Sequence, residues 1–451
     1  MSEPSHRQHP LMRLLKGDIT TVMIGNLVRS GFRWLAALLV MSLGKEQFGL
    51  FYLSMQWFGV GSQAADLGLD TAGVRYASRY RREGKADEEH TLFRLLLVAK
   101  IWLALSAVFI GILLAGWLGP KLAGPEAVLP IRIAVFGILG RALINYLSVF
   151  FKSRQDFIRN AVTVALGPLF IMLGMAFLWI TKNLTVSSAL LVYALAPVLA
   201  FLILYLSPWF RLRPRSPHVS RWGMFSRLVR FGKYVFVTNV ASAVRTRLMA
   251  FLIPLWATRA DLGLYGAGDY VANVLSLVSA SILTTLVPKA SSRINADEIR
   301  SFLAKNVKRS FLLTLPFFAV IPFVGPVVRL LAQWLSIVAE YQDAVPIMNL
   351  IYAGVLFSII ILPVRSVLYA IRRPHVETVV EIVMVALVIT LGLILLPRYG
   401  IMGAAAVMFI QRLLTCLILL TYAYIKIYKD PNLAESMEEI PVTQPPNGDA
   451  V

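Results

Sequence analysis

The chain has 451 residues, 58% of them hydrophobic and 15% charged, with a mean hydropathy of +0.70 and a formal net charge of +20. An ordinary soluble domain is about 45–50% apolar, so this composition excludes a water-soluble globule and defines an integral membrane protein. Nucleic acid is excluded as a partner, because binding it through charge needs a basic patch on a soluble surface, whereas these basic residues sit in short gaps between apolar runs.

The N-terminal "MSEPSHRQHPLMRLLKGD" is polar and basic and lacks the short apolar core and small-residue cleavage site of a signal peptide. Residues 1–17 are therefore expected to be a cytoplasmic N-terminus. A membrane-crossing helix needs about 20 mainly apolar residues. Twelve such runs follow, near 18–41, 48–74, 92–118, 129–151, 158–181, 187–209, 232–256, 262–288, 310–332, 344–370, 376–396 and 401–425. They are too long and too uniformly apolar for the alternating strands of a membrane barrel.

Lysine and arginine collect in "SRYRREGK", "KSRQDFIR", "RLRPRSPHVSRWGMFSRLVR", "KASSRINADEIRSFLAKNVKR", "RRPH" and "KIYK", and are sparse in the alternate loops. By the positive-inside rule these basic segments and both termini face the cytoplasm of a cell inner membrane. The longest polar gap, 211–230, divides the spans into an N-lobe, 18–210, and a C-lobe, 231–428. The acidic, proline-containing tail, 429–451, is expected to be disordered.

Sliding the second half over the first by 214 residues gives 13 identities over residues 13–79. "SLGKEQFGLFYL" falls on "ATRADLGLYGAG", and Arg33 falls on Arg247. An even number of spans separates the halves, so they enter the membrane in the same direction, as in transporters built from two parallel helical bundles around a central cavity.

Charges inside spans cost about 2.5–3.5 kcal/mol each on insertion scales and nearly always face a bundle interior or a water-filled cavity. Asn26, Arg29 and Arg33 are spaced i, i+3, i+7 and share one helical face. With Arg141, Arg245, Arg247 and Arg365 they are the candidates for an anion-binding cavity. Guanidinium forks suit phosphate, because they donate paired hydrogen bonds in a plane and keep their charge. Internal pairing is the competing reading: Arg29 and Arg33 to Asp66 or Asp70, Arg245 to a snorkelled or salt-bridged position, and Arg412 to a neighbouring helix. Asp66, Asp70 and Asp269 are candidates for coupling to H+ or Na+, since a carboxylate in a low-dielectric setting takes up a proton readily. Glu377 and Glu381 follow "RRPH" and are expected to pair with Arg372 or Arg373. No His, Ser or Cys arrangement supports catalysis, the single Cys416 lies in an apolar run, and neither a metal nor a cofactor is expected.

The step "FGLFYL" after the first span, "LGLYGAGDYVANVLSLVSASILTTLVPKAS" across the eighth and "PRYGIMGAAAVMFIQRLLT" opening the twelfth resemble the polysaccharide transporter, or Wzx-type flippase, branch of the multidrug/oligosaccharidyl-lipid/polysaccharide (MOP) exporter superfamily. The resemblance covers nearly the whole chain to about residue 428. It implies an all-α fold of about twelve membrane helices in two six-helix lobes. It also implies transport of an undecaprenyl-pyrophosphate-linked oligosaccharide, an O-antigen, lipopolysaccharide or exopolysaccharide repeat unit, driven by an ion gradient. Membrane lipids, and polymerase and chain-length proteins of the same pathway, are the partners it implies. By location and charge, Arg29, Arg33, Arg141, Arg245, Arg247 and Arg365 would hold the pyrophosphate and acidic sugars. A MATE-like exporter of small molecules, coupled to protons or sodium, has the same span plan and is the alternative; its cavity would favour cations and need fewer arginines.

Overall fold

A computed structural model describes residues 18–210, 221–275, 296–371 and 374–429, with isolated positions between 276 and 295. The expected N-terminal segment 1–17, linker residues 211–220, Arg372, Arg373 and the tail beyond Lys429 lie outside the described residues. The regular structure among the described residues is helical throughout: α1 (Asp18–Met41), α2 (Lys45–Ala64), α3 (Leu69–Arg82), α4 (Ala86–Ala123), α5 (Val128–Ser153), α6 (Phe157–Ile180) and α7 (Val186–Leu206) form the first half. The second half comprises α8 (Arg221–Leu252), α9 (Arg259–Ala272), α10 (Ala296–Ala332), the short α11 (Ser336–Glu340), α12 (Val345–Ile360), α13 (Leu362–Ala370) and α14 (Pro374–Ala423). Residues 221–230, expected in the linker, begin α8.

Eight of these helices are individually long and apolar enough to cross a membrane. The others complete about twelve spans. α14 contains two, joined at Gly400, whose φ of 55° and ψ of −141° are not helical. The second and tenth spans, each expected as one helix, are broken: α2 ends before α3 begins, and α12 gives way to α13 at Ile361. At the first break Leu67 and Gly68 have positive φ, 48° and 72°. A Cβ on Gly68 would stand 2.4 Å from the Gly232 carbonyl oxygen of α8, so the break lies where a helix of the other half passes at backbone distance.

Large apolar side chains cover the outside, among them Trp102, Phe109 and Trp117 on α4 and Phe311, Phe323 and Leu330 on α10. Such a face suits hydrocarbon as solvent. Inside, one apolar core is shared by α2, α5 and α7 of the first half and α8, α9, α12 and α14 of the second. It lies toward the end of the bundle where Met41, Ala123, Ile253 and Tyr341 meet. Toward the other end each half keeps its own core, one around Phe93, Tyr146 and Phe150 and one around Ile360, Val364 and Leu419. The start of α8 leans onto the first half there, through Met224 and Leu228 and the Tyr76–Phe231 ring contact.

The halves meet most closely where α2 crosses α9, at Gly49 and Gly263, which the 214-residue repeat equates. A Cβ on Gly49 would lie 2.1 Å from the Arg259 carbonyl oxygen, and one on Gly263 would lie 1.9 Å from that of Lys45. The contact is thus reciprocal, and the sequence repeat is a pseudo-two-fold in space. Lys45 and Arg259 are also repeat partners, and each is tied to a glutamate of the opposite half. The Lys45 amide donates to Glu340 Oε1 at 2.8 Å, and the Arg259 guanidinium donates to Glu126. Tyr341 Oη adds a bond to the Met41 carbonyl at 3.1 Å. These contacts fasten the two halves at the end where they share a core.

Gly49→Ala and Gly263→Ala are each expected to force α2 and α9 apart, costing about 1–3 kcal/mol or more as an overpacked core does. Thermal melting in detergent should show the loss, with Gly31→Ala unchanged because nothing lies within 4 Å of an added Cβ there. Unaltered melting of both crossing variants would mean the crossing is not the tight contact between the halves.

Candidate functional site

Below the α2–α9 crossing the halves enclose connected cavities. The first, of about 390 Å³, is lined by Trp34, Tyr52, Tyr193 and Tyr270 together with Arg33, Gln56, Asp269 and Asn273. The second, of about 250 Å³, is strongly polar: Arg33, Arg141 and Arg247 line it with Gln56, Ser62, Asp66, Asp70 and Asn145. A third, of about 80 Å³, brings Arg29 to Arg33 and Arg141 beside Asn145 and Tyr193. Arg33 belongs to all three, and Gln56 and Tyr270 join the first to the second.

Each cation reaches this place for a local reason. Arg29 and Arg33 are one turn apart on α1, so they emerge on one face. Arg247 comes from α8 and lies over Gly59 of α2, where a Cβ would stand 2.3 Å from its Nε. Arg247 Nη1 donates to the Ala243 carbonyl at 3.3 Å, which holds the fork in place. The repeat equates Gly59 with Asn273, which shares the first cavity with Arg33. The two repeat-related arginines therefore occupy related positions, each at the helix of the other half.

Among the described residues no carboxylate lies within ion-pair distance of Arg29, Arg33, Arg141 or Arg247. Arg29 Nε is buried without a hydrogen-bond partner. The expected alternative, pairing of Arg29 or Arg33 with Asp66 or Asp70, does not occur. Both aspartates turn to Lys100 of α4 instead, whose Nζ lies 2.9 Å from Asp66 Oδ1 and 2.5 Å from Asp70 Oδ1. Lys100 is 2% exposed. The reading of charges within spans missed it, although a lysine nine residues inside the 92–118 run carried the same signal as the arginines.

Arg245 and Arg365, expected with the cavity cations, line none of the three cavities. Arg245 Nε donates to Glu381 Oε2 at 2.5 Å and its Nη2 to Oε1 at 3.2 Å, a bidentate pair in which both partners are buried. Arg365 lies 3.3 Å from Glu377 and 3.6 Å from Glu381. The partners expected for these glutamates, Arg372 and Arg373, lie outside the described residues. Arg412 is held by neighbouring helices, donating to the Ile351 carbonyl at 3.0 Å and to Asn273 Oδ1 at 3.3 Å. Asn26 also lines none of the three cavities. Asp269 opens on the aromatic cavity and accepts from Tyr52 Oη at 2.9 Å and Asn273 Nδ2 at 2.5 Å.

The second and third cavities thus carry four arginines against Asp66 and Asp70, with Lys100 behind the two aspartates, an excess of positive charge between the halves. Cations confined together repel one another, and an anion bearing several oxygens relieves that repulsion while accepting from the guanidinium forks. The aromatic cavity beside it offers ring faces and amides, which suit an uncharged, hydroxyl-bearing group.

Residues 19–295 match the family described as "Polysaccharide biosynthesis protein", more than half of the chain, and the protein belongs to that family. It is similar to the probable low-salt glycan biosynthesis flippase Agl15 of Haloferax volcanii, with 23% identity over 391 residues, covering 85% of this chain and 78% of the relative. The fold is that of the MOP superfamily. An inward-facing multidrug resistance MATE family transporter superposes with a TM-score of 0.73 at 14% identity, over 93% of this chain and 99% of that one. The lipid II flippase MurJ, in an inward closed conformation, superposes with a TM-score of 0.74 at 15% identity, over 93% and 90%. The protein is thus a multi-pass membrane protein of two parallel-repeat lobes around a central cavity.

The paired and unpaired arginines are expected to differ in their effect on stability. Arg245→Gln leaves Glu381 without its bidentate partner and should cost about 3–5 kcal/mol, the range for breaking a buried ion pair. Arg33→Gln and Arg141→Gln remove repulsion and should leave the melting temperature unchanged or raised, as removal of a strained functional charge does. Thermal melts of the purified variants check the ordering; a larger loss for Arg33→Gln than for Arg245→Gln would reverse the assignment.

Proposed function

We propose that this protein is a flippase that moves a polyprenyl-pyrophosphate-linked oligosaccharide, of the undecaprenyl type used for O-antigen or exopolysaccharide repeat units, across the inner membrane. The observation that carries the reading is the pair of joined cavities sharing Arg33, one lined by arginines without carboxylate partners and the other by Trp34, Tyr52, Tyr193 and Tyr270. Arg29, Arg33, Arg141 and Arg247 hold the pyrophosphate, whose oxygens accept from several forks at once. The first sugars lie against the ring faces, with Gln56 and Asn273 directed to hydroxyl groups. Family membership and the similarity to Agl15 support the same substrate class. The protein works as a transporter, without covalent chemistry.

Alternating access follows from how the halves are joined. The Lys45–Glu340 and Arg259–Glu126 contacts fasten one end, which the basic-loop asymmetry assigns to the outside, and both termini are then cytoplasmic. Rocking the halves, taken as 18–210 and 231–428 with the linker 211–230 between them, breaks these exposed contacts and opens the cavity outward. A gradient of protons or sodium drives the cycle, with Asp269 and, for protons, Asp66 and Asp70 as the groups that take part. A MATE-like exporter of cations is disfavoured by the same arginines, since a cationic drug entering the second cavity would meet uncompensated positive charge.

In cells that depend on this chain, Arg33→Ala and Arg247→Ala are expected to lower surface polysaccharide by roughly 10–100-fold, the equivalent of one or two charge-assisted hydrogen bonds. Immunoblots of the membrane fraction should show normal insertion. Arg33→Lys should retain part of the activity, because charge survives while the planar fork does not. Normal polymer from both alanine variants would remove these arginines from the mechanism.

A further inference from the structure

Lys100 has no part in the scheme above, yet it is the most completely buried cation among the described residues of the first half. Its stem passes from α4 to the break between α2 and α3, where Asp66 and Asp70 stand either side of the Leu67–Gly68 turn. The two carboxylates are held ready by other groups: the Asp70 amide donates to Asp66 Oδ1 at 3.3 Å, and Asn145 Nδ2 donates to Asp70 Oδ2 at 3.0 Å. Two carboxylates side by side in a partly buried cluster are oxygen donors of the kind that hard metal cations select. Here a cation already stands among them, within 3 Å of both carboxylates.

The charge balance shows what the ammonium does. Without it, Asp66 and Asp70 would place two negative charges side by side in a partly buried setting, a state that favours capture of a free cation or a proton. With it, one negative charge remains, and Arg33, Arg141 and Arg247 face it from across the second cavity. An ammonium and a sodium ion carry the same charge and compete for the same oxygens. The lysine differs in being tethered, so it cannot be exchanged with the bath.

We propose that Lys100 is a tethered cation occupying the Asp66–Asp70 site in place of a free sodium ion, so that this site is closed to sodium and its carboxylates stay paired whatever the external sodium concentration. The proposal rests on the transport reading only for its bearing on coupling, and its test needs no glycan. Sodium is the probe: thermal melting of the purified full chain in sodium chloride is compared with choline chloride at equal ionic strength. The wild type is expected to melt at the same temperature in both. Lys100→Met keeps a stem of similar length and removes the charge, and it should gain a sodium-specific rise of about 1–3 °C at roughly ten times the dissociation constant. Adding Asp70→Asn to Lys100→Met should abolish that rise, and Lys100→Arg should show none.

A sodium-specific rise in the wild type that Asp70→Asn removes would overturn the proposal. So would a monodisperse Lys100→Met protein without any sodium response in melting or in sodium-22 retention. If Lys100→Met does not fold, the wild type, Asp70→Asn and Lys100→Arg still decide the question by the same sodium comparison. Melts that behave as expected in a protein that moves no glycan in cells would count against the proposed function and leave this site as described.

Discussion

The organisation of this protein rests on one constraint: an ionised side chain at bilayer depth must find an opposite charge or face a polar cavity. The chain meets it in two ways. Arg245 and Arg365 meet Glu381 and Glu377 in the second half, and Lys100 meets Asp66 and Asp70 in the first. Arg29, Arg33, Arg141 and Arg247 are left to the cavities. Each half therefore has a paired cluster of its own, neutral in the second half and with one negative charge left over in the first, and the unpaired arginines gather where the halves face each other. That separation makes the interface, and not either half, the place where an anion is favoured.

The backbone contact of α2 with α9 sets the geometry of that interface. Two glycines bring the helices close enough for each to touch the other's carbonyl groups, which no side chain would allow. Once that crossing is fixed, α1 and α8 follow on either side, and Arg33 and Arg247 are carried to opposite walls of one cavity. The exposed glutamate contacts at Lys45 and Arg259 lie next to the crossing. Exposed ion pairs contribute little to stability, typically 0–1 kcal/mol, which suits contacts that a moving transporter has to release.

Stability and function pull apart at the cavity. Leaving guanidinium groups without carboxylates costs free energy that the large shared core around Phe48, Tyr265 and Ile351 offsets. The pair Arg245–Glu381, buried on both sides, and the pair Lys100–Asp70, in which the lysine is buried and the aspartate partly exposed, are each compensated as long as both partners remain. The neighbouring aromatic cavity extends the site beyond charge, with Tyr52 fixed by Asp269 and Arg412 anchored through Asn273. On the function proposed above, recognition of a phosphate and of the group attached to it would draw on two chemistries that share Arg33.

Much of the fold was legible in the sequence because membrane helices announce themselves by length and apolarity, and because the 214-residue repeat needs no structure to be seen. Both the Gly49–Gly263 equivalence and the Arg33–Arg247 pairing were written there. Partner choice was not. Asp66 and Asp70 sit at a spacing that suits arginines of α1 as well as Lys100 of α4, and only the break at Leu67–Gly68 decides which cation they meet. Arg245 and Arg247 are two residues apart on one helix, yet one turns to Glu381 and the other to the cavity, a difference of about 200° around the helix axis. Sequence sets which charges enter the membrane, since that depends on composition and order alone. Which of them stay free to bind depends on the crossing of helices far apart in the chain, and only the tertiary structure fixes that.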